Sequence, residues 1–194
     1  MILALTNYIG FGQVDIENEI ITDLIRSEFK QLPNDTIFNR NGQIKKINTF
    51  KKPEIVLQIE TETYLFDPKW NSLEMFNKNG LSSLDSDCYS DFCEKNRLKV
   101  SIDSIDNFQG TISYFTKNET IGLYKQGGWD NYHKKFGNIP IVKVSRPGIS
   151  IDKNKAFIYY SKSFDDLASA GFYVILERIN NNWIIKKTKL AWIS

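Results

Sequence analysis

The sequence is poor in the residues that most often build metal centres and nucleophilic active sites. Its 194 residues include one histidine, His133, and two cysteines, Cys88 and Cys93. A structural zinc site needs four such ligands, and a nucleophilic triad needs an imidazole beside a serine or cysteine. No nucleophile-elbow or papain-like motif surrounds His133. We therefore interpret His133 as a structural side chain and expect no metal.

Glycine-rich and acidic loops that bind cofactors or ions are also missing. Gly127 and Gly128 lack the Lys-Ser/Thr of a P-loop and the strand-to-helix context of a dinucleotide fingerprint. The segment Asp152-Lys153-Asn154 falls short of the acidic spacing of a calcium loop and is typical of a hairpin turn. We expect no cofactor.

Long apolar runs and arginine are scarce too. No stretch approaches the roughly 20 apolar residues of a transmembrane helix. Only five of the 25 basic residues are arginine, and acidic and basic residues are interspersed to a net charge of +2. Nucleic-acid binding usually needs a concentrated basic face and depends strongly on arginine. The sequence therefore predicts neither a transmembrane segment nor a nucleic-acid partner.

The composition that is present fits a globular protein of one domain. The chain is 41% hydrophobic and 13% aromatic, and no internal repeat or low-complexity segment interrupts it. We interpret residues 14–194 as a single α+β domain. Residues 1–13 open on the apolar run Met1 to Leu5 and fit either the remnant of a signal peptide or a short buried N-terminal strand.

Hydrophobic periodicity predicts mixed elements in the first half of the chain. Val14 to Leu32 repeats apolar residues at helical spacing, and Asn41-Gly42 indicates a hairpin. The other predicted elements are a strand over 54–66, a short helix over 69–78, a loop over 79–97 with a helical turn at 89–94, and strands over 98–105 and 110–115.

The last third predicts a run of antiparallel strands, over 141–145, 156–160, 172–179 and 183–193. The turn Asn180-Asn181-Asn182 joins the last two as a hairpin. In the final strand Trp183 and Ile185 share one face, whereas Leu190 and Trp192 are expected on the other, which requires a bulge or bend. The predicted fold is an N-terminal amphipathic helix packed on a curved antiparallel sheet with a C-terminal meander of hairpins, and Trp192 is expected in its core.

The segment from Gly128 onward resembles a loosely defined family of uncharacterised, mostly exported bacterial proteins. The resemblance covers roughly residues 128–194 and rests on Gly128 to His133, Val144 to Gly148, Asp152 to Ala156 and the ending Trp192-Ile193-Ser194. Residues 163–171 depart from the family, whose members carry a Gly- and Cys-rich connection there. The resemblance implies export and brings no established activity.

The two cysteines lie five residues apart. In an exported protein this spacing permits a local disulfide between Cys88 and Cys93, and two free thiols are the alternative.

The leading functional hypothesis is a non-enzymatic, exported binding or envelope-associated domain with a protein or glycan partner. Its contact patch is predicted on the sheet face or along the loops 79–97 and 161–171, and exposed aromatics would mark it. The candidate aromatic residues are Trp129, Tyr132, Phe164 and Tyr173.

Two other functions fit the same sequence. One is a small hydrolase acting on a glycan or peptidoglycan-like polymer through paired carboxylates. Its candidate acids are Glu60, Glu62, Asp130, Asp165 and Asp166. The other is an intracellular inhibitor or immunity-type protein. Nothing in the pattern indicates an oligomeric state.

Overall fold

The computed structural model describes residues 11–29, 36–38, 44–47, 54–58, 72–102, 105, 108–116, 118–119, 121–122 and 127–194. The helices that pack on its main sheet are α1 (Phe11–Glu28), α2 (Leu73–Lys78), α3 (Ser86–Lys95) and α4 (Gly128–Phe136). A two-stranded antiparallel sheet, β1 (Thr36–Phe38) and β2 (Ile44–Ile47), forms where the Asn-Gly pair predicted a hairpin.

The main sheet has seven strands and is mostly antiparallel. Its strands are β3 (Glu54–Gln58), β4 (Thr111–Phe115), β5 (Ile141–Val144), β6 (Gly148–Ile149), β7 (Lys155–Asp165), β8 (Ala168–Ile179) and β9 (Asn182–Ile193). Their order across the sheet is β4-β3-β5-β7-β8-β9, and β6 pairs with another part of β7. β3 runs parallel to β4 and β5, whereas the other pairs are antiparallel. The predicted α+β class with C-terminal hairpins is confirmed.

The predicted Asn hairpin between β8 and β9 is confirmed. Asn180 and Asn181 have φ of 49° and 65°, in the left-handed region that asparagine tolerates better than most residues. Two consecutive left-handed residues match the twist of paired strands, so this two-residue turn sets the register Ile179↔Asn182.

Helices cover both faces of the main sheet. On one face, α1 buries Ile20, Leu24 and Ile25 against Val174 and Trp183. On the other face, α2 and α3 bury an aromatic cluster that contains Phe76, Phe92, Phe157, Tyr159 and Tyr173. A third cluster beneath α4 joins Val56, Phe115, Trp129, Tyr132 and Ile141. The amphipathic stripe of α1 is therefore explained by burial on one side only.

The predicted interruption of the last strand is confirmed, and there are two. Along β9 the register shifts opposite Ile175/Leu176 and again opposite Gly171/Phe172, which leaves Lys186 and Ala191 without a partner residue. Trp183 and Ile185 contact the α1 cluster. The second bulge separates Leu190 from Trp192, so these two project on opposite faces rather than sharing one as predicted.

Trp192 is less buried than the sequence predicted. It is 36% exposed, whereas Trp183 is 2% exposed. The Trp192 Nε1–H donates to Tyr159 Oη at 2.9 Å. Its indole lies against Gly171, where a Cβ would come within 2.3 Å of Nε1. Trp192 thus closes the rim of the aromatic cluster and is not a core residue.

Several predicted boundaries are wrong within the described residues. α1 ends at Glu28, and not near Leu32. Leu98 to Val100 lie in exposed irregular chain and not in a strand, because only Ile102 and Ile105 of that segment are buried. The predicted loop 79–97 is largely α3, and the predicted loop 161–171 is the β7–β8 hairpin, since both strands continue to a turn at 166–167. The continuation of β3 to 66 and the residues 69–71 lie outside the described residues.

Candidate functional site

Three of the four predicted contact aromatics are buried. Trp129 is 7% exposed, Tyr132 2% and Tyr173 4%. The Trp129 and Tyr132 rings meet edge to face at 5.1 Å, and Tyr132 Oη donates to the Ile139 carbonyl at 2.8 Å. These side chains hold α4 and the aromatic cluster in place, so the structure removes them from the exposed surface. Phe164 is partly exposed near the end of β7.

The predicted carboxylates that lie within the described residues are found at two places in the fold. Asp130 is exposed on α4, and Asp165 and Asp166 are exposed at the β7–β8 turn. Asp165 Oδ1 accepts a hydrogen bond from the Asp166 N–H at 2.6 Å, as turn aspartates do. Glu60 and Glu62 lie outside the described residues.

His133 and Ser145 have local hydrogen bonds that account for their positions. His133 Nδ1 lies 3.1 Å from the Gly137 carbonyl at the end of α4. Ser145 is fully buried; its Oγ donates to the Arg146 carbonyl and accepts from the Tyr159 N–H. Neither residue is arranged as part of a nucleophilic pair.

Both cysteines are free, so the disulfide alternative is not realised. Cys88 and Cys93 are five positions apart on α3, which places their side chains about 140° apart around the helix axis. Burial raises the pKa of the Cys88 thiol to about 12, and burial also raises the pKa of Cys93. Thiolate is the reactive form, so neither cysteine is activated as a nucleophile.

The turn between β5 and β6, which we call the Arg146 corner (Arg146, Pro147, Gly148), is the centre of a buried ion cluster. Arg146 donates through Nε and Nη2 to the two carboxylate oxygens of Glu17, at 3.0 and 2.9 Å. Lys95 Nζ lies 3.2 Å from Glu17 Oε1 and 2.7 Å from Asp91 Oδ2. Glu17 of α1 is therefore the carboxylate that pairs with both Arg146 and Lys95.

The same corner is fixed to α3 by backbone contacts. The Asn96 amide accepts from the Arg146 N–H and donates to the Arg146 carbonyl, both at 2.8 Å. Gly148 packs so closely that a Cβ there would lie 2.3 Å from the Cys88 carbonyl oxygen and 2.4 Å from the Phe92 Cβ. Only glycine permits this approach, and the Arg146 corner is therefore a joint between helix and sheet.

A groove of about 320 Å³ opens beside this joint. Asp91 and Asp87 line it, and their Oδ2 atoms accept from the N–H groups of Ile149 and Ile151 at 2.7 and 2.8 Å. The hydrogen bond from Ile151 holds the pKa of Asp87 below its usual range. A general acid in a glycosidase needs the opposite shift, so Asp87 is suited to holding the joint and not to proton transfer.

A second, more polar groove of about 400 Å³ lies between α1 and the Asn turn. Asp23 lines it, but its Oδ2 accepts from the Trp183 N–H at 2.9 Å and its Oδ1 pairs with Arg26 at 3.2 Å. The carboxylate thus ties α1 to β9. The other residues that line this groove are Asn18, Glu19, Thr22, Arg26, Asn181 and Asn182.

The strongest surface feature is an exposed apolar region where the β7–β8 turn meets the end of β9. Leu167 is 86% exposed, Ile193 74%, Leu190 51% and Trp192 36%. The pairs Gly171↔Trp192 and Phe172↔Leu190, and hydrogen bonds between Ser169 and Ser194, place these residues at one end of the sheet, with Trp192 on the face of the aromatic cluster and Leu190 on the face of α1. We call this region, with Phe164, the apolar corner. Exposed apolar side chains grouped in this way typically mark a contact surface.

Sequence reasoning missed Leu167, Leu190 and Ile193. The signal was present, because Leu190-Ala191-Trp192-Ile193 is apolar at four consecutive positions of a strand. Side chains alternate between faces, so such a run is apolar on both faces at once. The exposure of this run could not be predicted from the sequence, because it depends on β9 being the last strand of the sheet.

No protein-family model, curated protein or solved structure matches this chain. Among the described residues, no group of three or more His, Cys, Asp or Glu side chains is placed to hold a metal ion. None of the helices in that part of the chain is long and apolar enough to cross a membrane.

Proposed function

We propose that this chain is a non-enzymatic binding domain that contacts a protein partner through the apolar corner. The observation that carries the proposal is the exposure of Leu167, Leu190, Trp192 and Ile193 at one end of the sheet. Leaving large apolar side chains in water costs about 25 cal/mol for each Å² that a partner would cover. A protein partner fits better than a glycan, because the corner presents apolar side chains and few convergent polar groups.

The carboxylate chemistry of the described residues supports a binding role over the hydrolase alternative. Hydrogen bonds lower the pKa of three carboxyl groups in the described residues, those of Asp87, Glu119 and Asp152. A glycosidase needs one carboxyl held protonated near neutral pH beside an ionised one. The described part of the chain provides ionised carboxylates that accept structural hydrogen bonds.

The proposal includes export to the bacterial envelope or beyond, which rests on the resemblance of residues 128–194. An apolar corner on an envelope-associated domain would dock onto another envelope protein. Fractionation of the source cells tests this part separately, since recovery only from the cytoplasm would refute export without touching the binding role.

The binding role is tested with one substitution in the apolar corner and one matched control. Leu167→Lys and Leu98→Lys place the same charge at exposed leucines, 86% and 72% exposed, on different parts of the chain. The wild-type chain and both variants are immobilised, and proteins retained from an extract of the source cells are identified by mass spectrometry. We expect a protein retained by the wild type and Leu98→Lys and lost from Leu167→Lys. Equal retention by all three, or none by any, would contradict the proposal.

One observation favours the second candidate, an intracellular inhibitor-type protein. Cys88 and Cys93 are both free, and thiols remain reduced more readily in the cytosol than in an oxidising compartment. Such a protein would use the same apolar corner against an intracellular enzyme. The two candidates differ in compartment, so the fractionation described above separates them.

A further inference from the structure

We propose that the apolar corner binds a second copy of this chain, with the end of β9 pairing antiparallel to the end of β9 of the other copy. This inference rests on the proposed function, because it names the partner of the same surface. It would join two main sheets edge to edge around a two-fold axis.

The first reason is that β9 is an edge strand. β9 is the last strand of the main sheet and pairs with β8 alone among the described strands. An edge strand presents a row of backbone N–H and C=O groups that can pair with another strand. β9 is twelve residues long, which makes it a long edge.

The second reason is that the protection of this edge covers only part of it. Lysines and bulges are the usual means by which an edge strand avoids pairing. Lys186, Lys187 and Lys189 lie in the middle of β9, with Lys186 Nζ 3.4 Å from Glu177 and Lys187 Nζ 3.4 Å from Ser82. From residue 190 to 194 the strand carries no charged side chain. The lysines and the bulge at Lys186 protect the first part of the edge, whereas the end carries the bulge at Ala191 but no charge.

The charges also select one register. Pairing centred on residues 186–189 would place lysines of the two copies against each other, which is destabilising. Pairing centred between Ala191 and Trp192 instead sets Leu190 opposite Ile193 and Lys189 opposite Ser194. The bulge at Ala191 puts Leu190 and Ile193 on the same face, as this register requires. Ser194 Oγ donates to the Asp166 carbonyl at 3.4 Å, so each Lys189 would approach the acidic turn of the other copy.

The mixed charge around the apolar corner favours a second copy over a lipid surface. Asp165 and Asp166 flank Leu167 in the turn, and both are exposed. Lys189 lies on the same rim, with Nζ 5.6 Å from the Phe76 ring centroid. An anionic membrane would attract the lysine and repel the two aspartates. A two-fold copy supplies the opposite charge at both positions.

The test is the molecular mass in solution as a function of concentration. Because the paired segment is short, we expect a weak dimer, with the weight-average mass rising from monomer towards twice that value between about 10 µM and about 500 µM. Ile193→Lys, at a 74% exposed position, should remain monomeric at about 500 µM. Ile184→Lys is the matched control, because Ile184 is a 45% exposed residue of the same strand outside the apolar corner, and it should dimerise like the wild type. Ile193→Ser, which adds no charge, should weaken the dimer in the same direction.

Three results would overturn the inference. One is a monomer mass for the wild type at the highest concentration. Another is an equal loss of dimer in Ile184→Lys and Ile193→Lys. The third is a monomer that co-sediments with vesicles containing anionic phospholipid, which would assign the corner to a membrane surface. A wild-type monomer that still retains another protein through Leu167 would refute the dimer and leave the proposed function intact.

Discussion

Replacing Glu17 with glutamine is expected to destabilise the fold substantially, because it removes the one carboxylate shared by two buried cations. The Glu17 side chain is 9% exposed, Lys95 7% and Arg146 19%. Glutamine keeps the shape and one acceptor oxygen but cannot neutralise either cation. Breaking a buried ion pair by removing one partner costs about 3–5 kcal/mol.

The structure places the expected loss at the lower end of that range. Lys95 keeps Asp91 at 2.7 Å as its second carboxylate, and Arg146 reaches solvent and the Lys95 carbonyl at 3.5 Å. We therefore expect Glu17→Gln to lower the free energy of unfolding by about 3 kcal/mol. For a domain of this size, that corresponds to a fall in Tm of about 6–12 °C.

Urea denaturation followed by tryptophan fluorescence measures this loss, and Glu74→Gln is the control. Glu74 pairs with Lys78 at 2.6 Å, but both side chains are at least 70% exposed. An exposed pair of this kind contributes about 0.3–0.5 kcal/mol. A loss below about 1 kcal/mol in Glu17→Gln, or one no larger than in Glu74→Gln, would refute the reasoning that this cluster joins α1 to the Arg146 corner.

Three further predictions follow from burial and hydrogen bonding. In chemical denaturation, Trp192→Ala should lower the free energy of unfolding by about 1–2 kcal/mol and Trp183→Ala by about 3–5 kcal/mol, since Trp192 is 36% exposed and Trp183 only 2%. Equal losses would contradict the rim position of Trp192. Without reductant, Cys93 should react slowly with a thiol reagent and Cys88 only on unfolding, because burial raises the pKa of both; rapid native labelling of Cys88 would be inconsistent with the structure. The hydrogen bond from Ile151 lowers the folded-state pKa of Asp87 from its ordinary value of 3.8. The ionised Asp87 side chain therefore stabilises the fold fully above pH 3.8, and this stabilisation is lost as the pH falls through the lowered pKa. Asp87→Asn should therefore lose less stability than the wild type between about pH 5 and about pH 2, and an identical loss would argue against that bond.

Local patterns in the sequence predicted what depends on neighbours along the chain. The Asn turn was recognisable because two consecutive left-handed residues are favourable at asparagine. The interruption of β9 followed from the change of apolar phase after Ile185. α4 was not predicted, although Trp129, Tyr132 and Phe136 have helical spacing.

Contacts between distant parts of the chain were not predictable in the same way. Glu17 and Arg146 are 129 positions apart, and no local pattern links them. The exposure of Leu190 and Ile193 depends on β9 lying at the edge of the main sheet, which is a property of the strand order. For the same reason Tyr173 was placed on the surface, although a helix pair covers that face of the sheet.

The most direct test of the apolar corner as a contact surface is site-specific photo-crosslinking inside the cells that make this protein. A photo-crosslinking amino acid is placed at Leu167, at Ile193 and, as a control, at Leu98, which are 86%, 74% and 72% exposed. We expect a discrete crosslinked species from Leu167 and from Ile193 and none from Leu98. Crosslinks of equal yield from all three positions, or from Leu98 alone, would contradict this expectation.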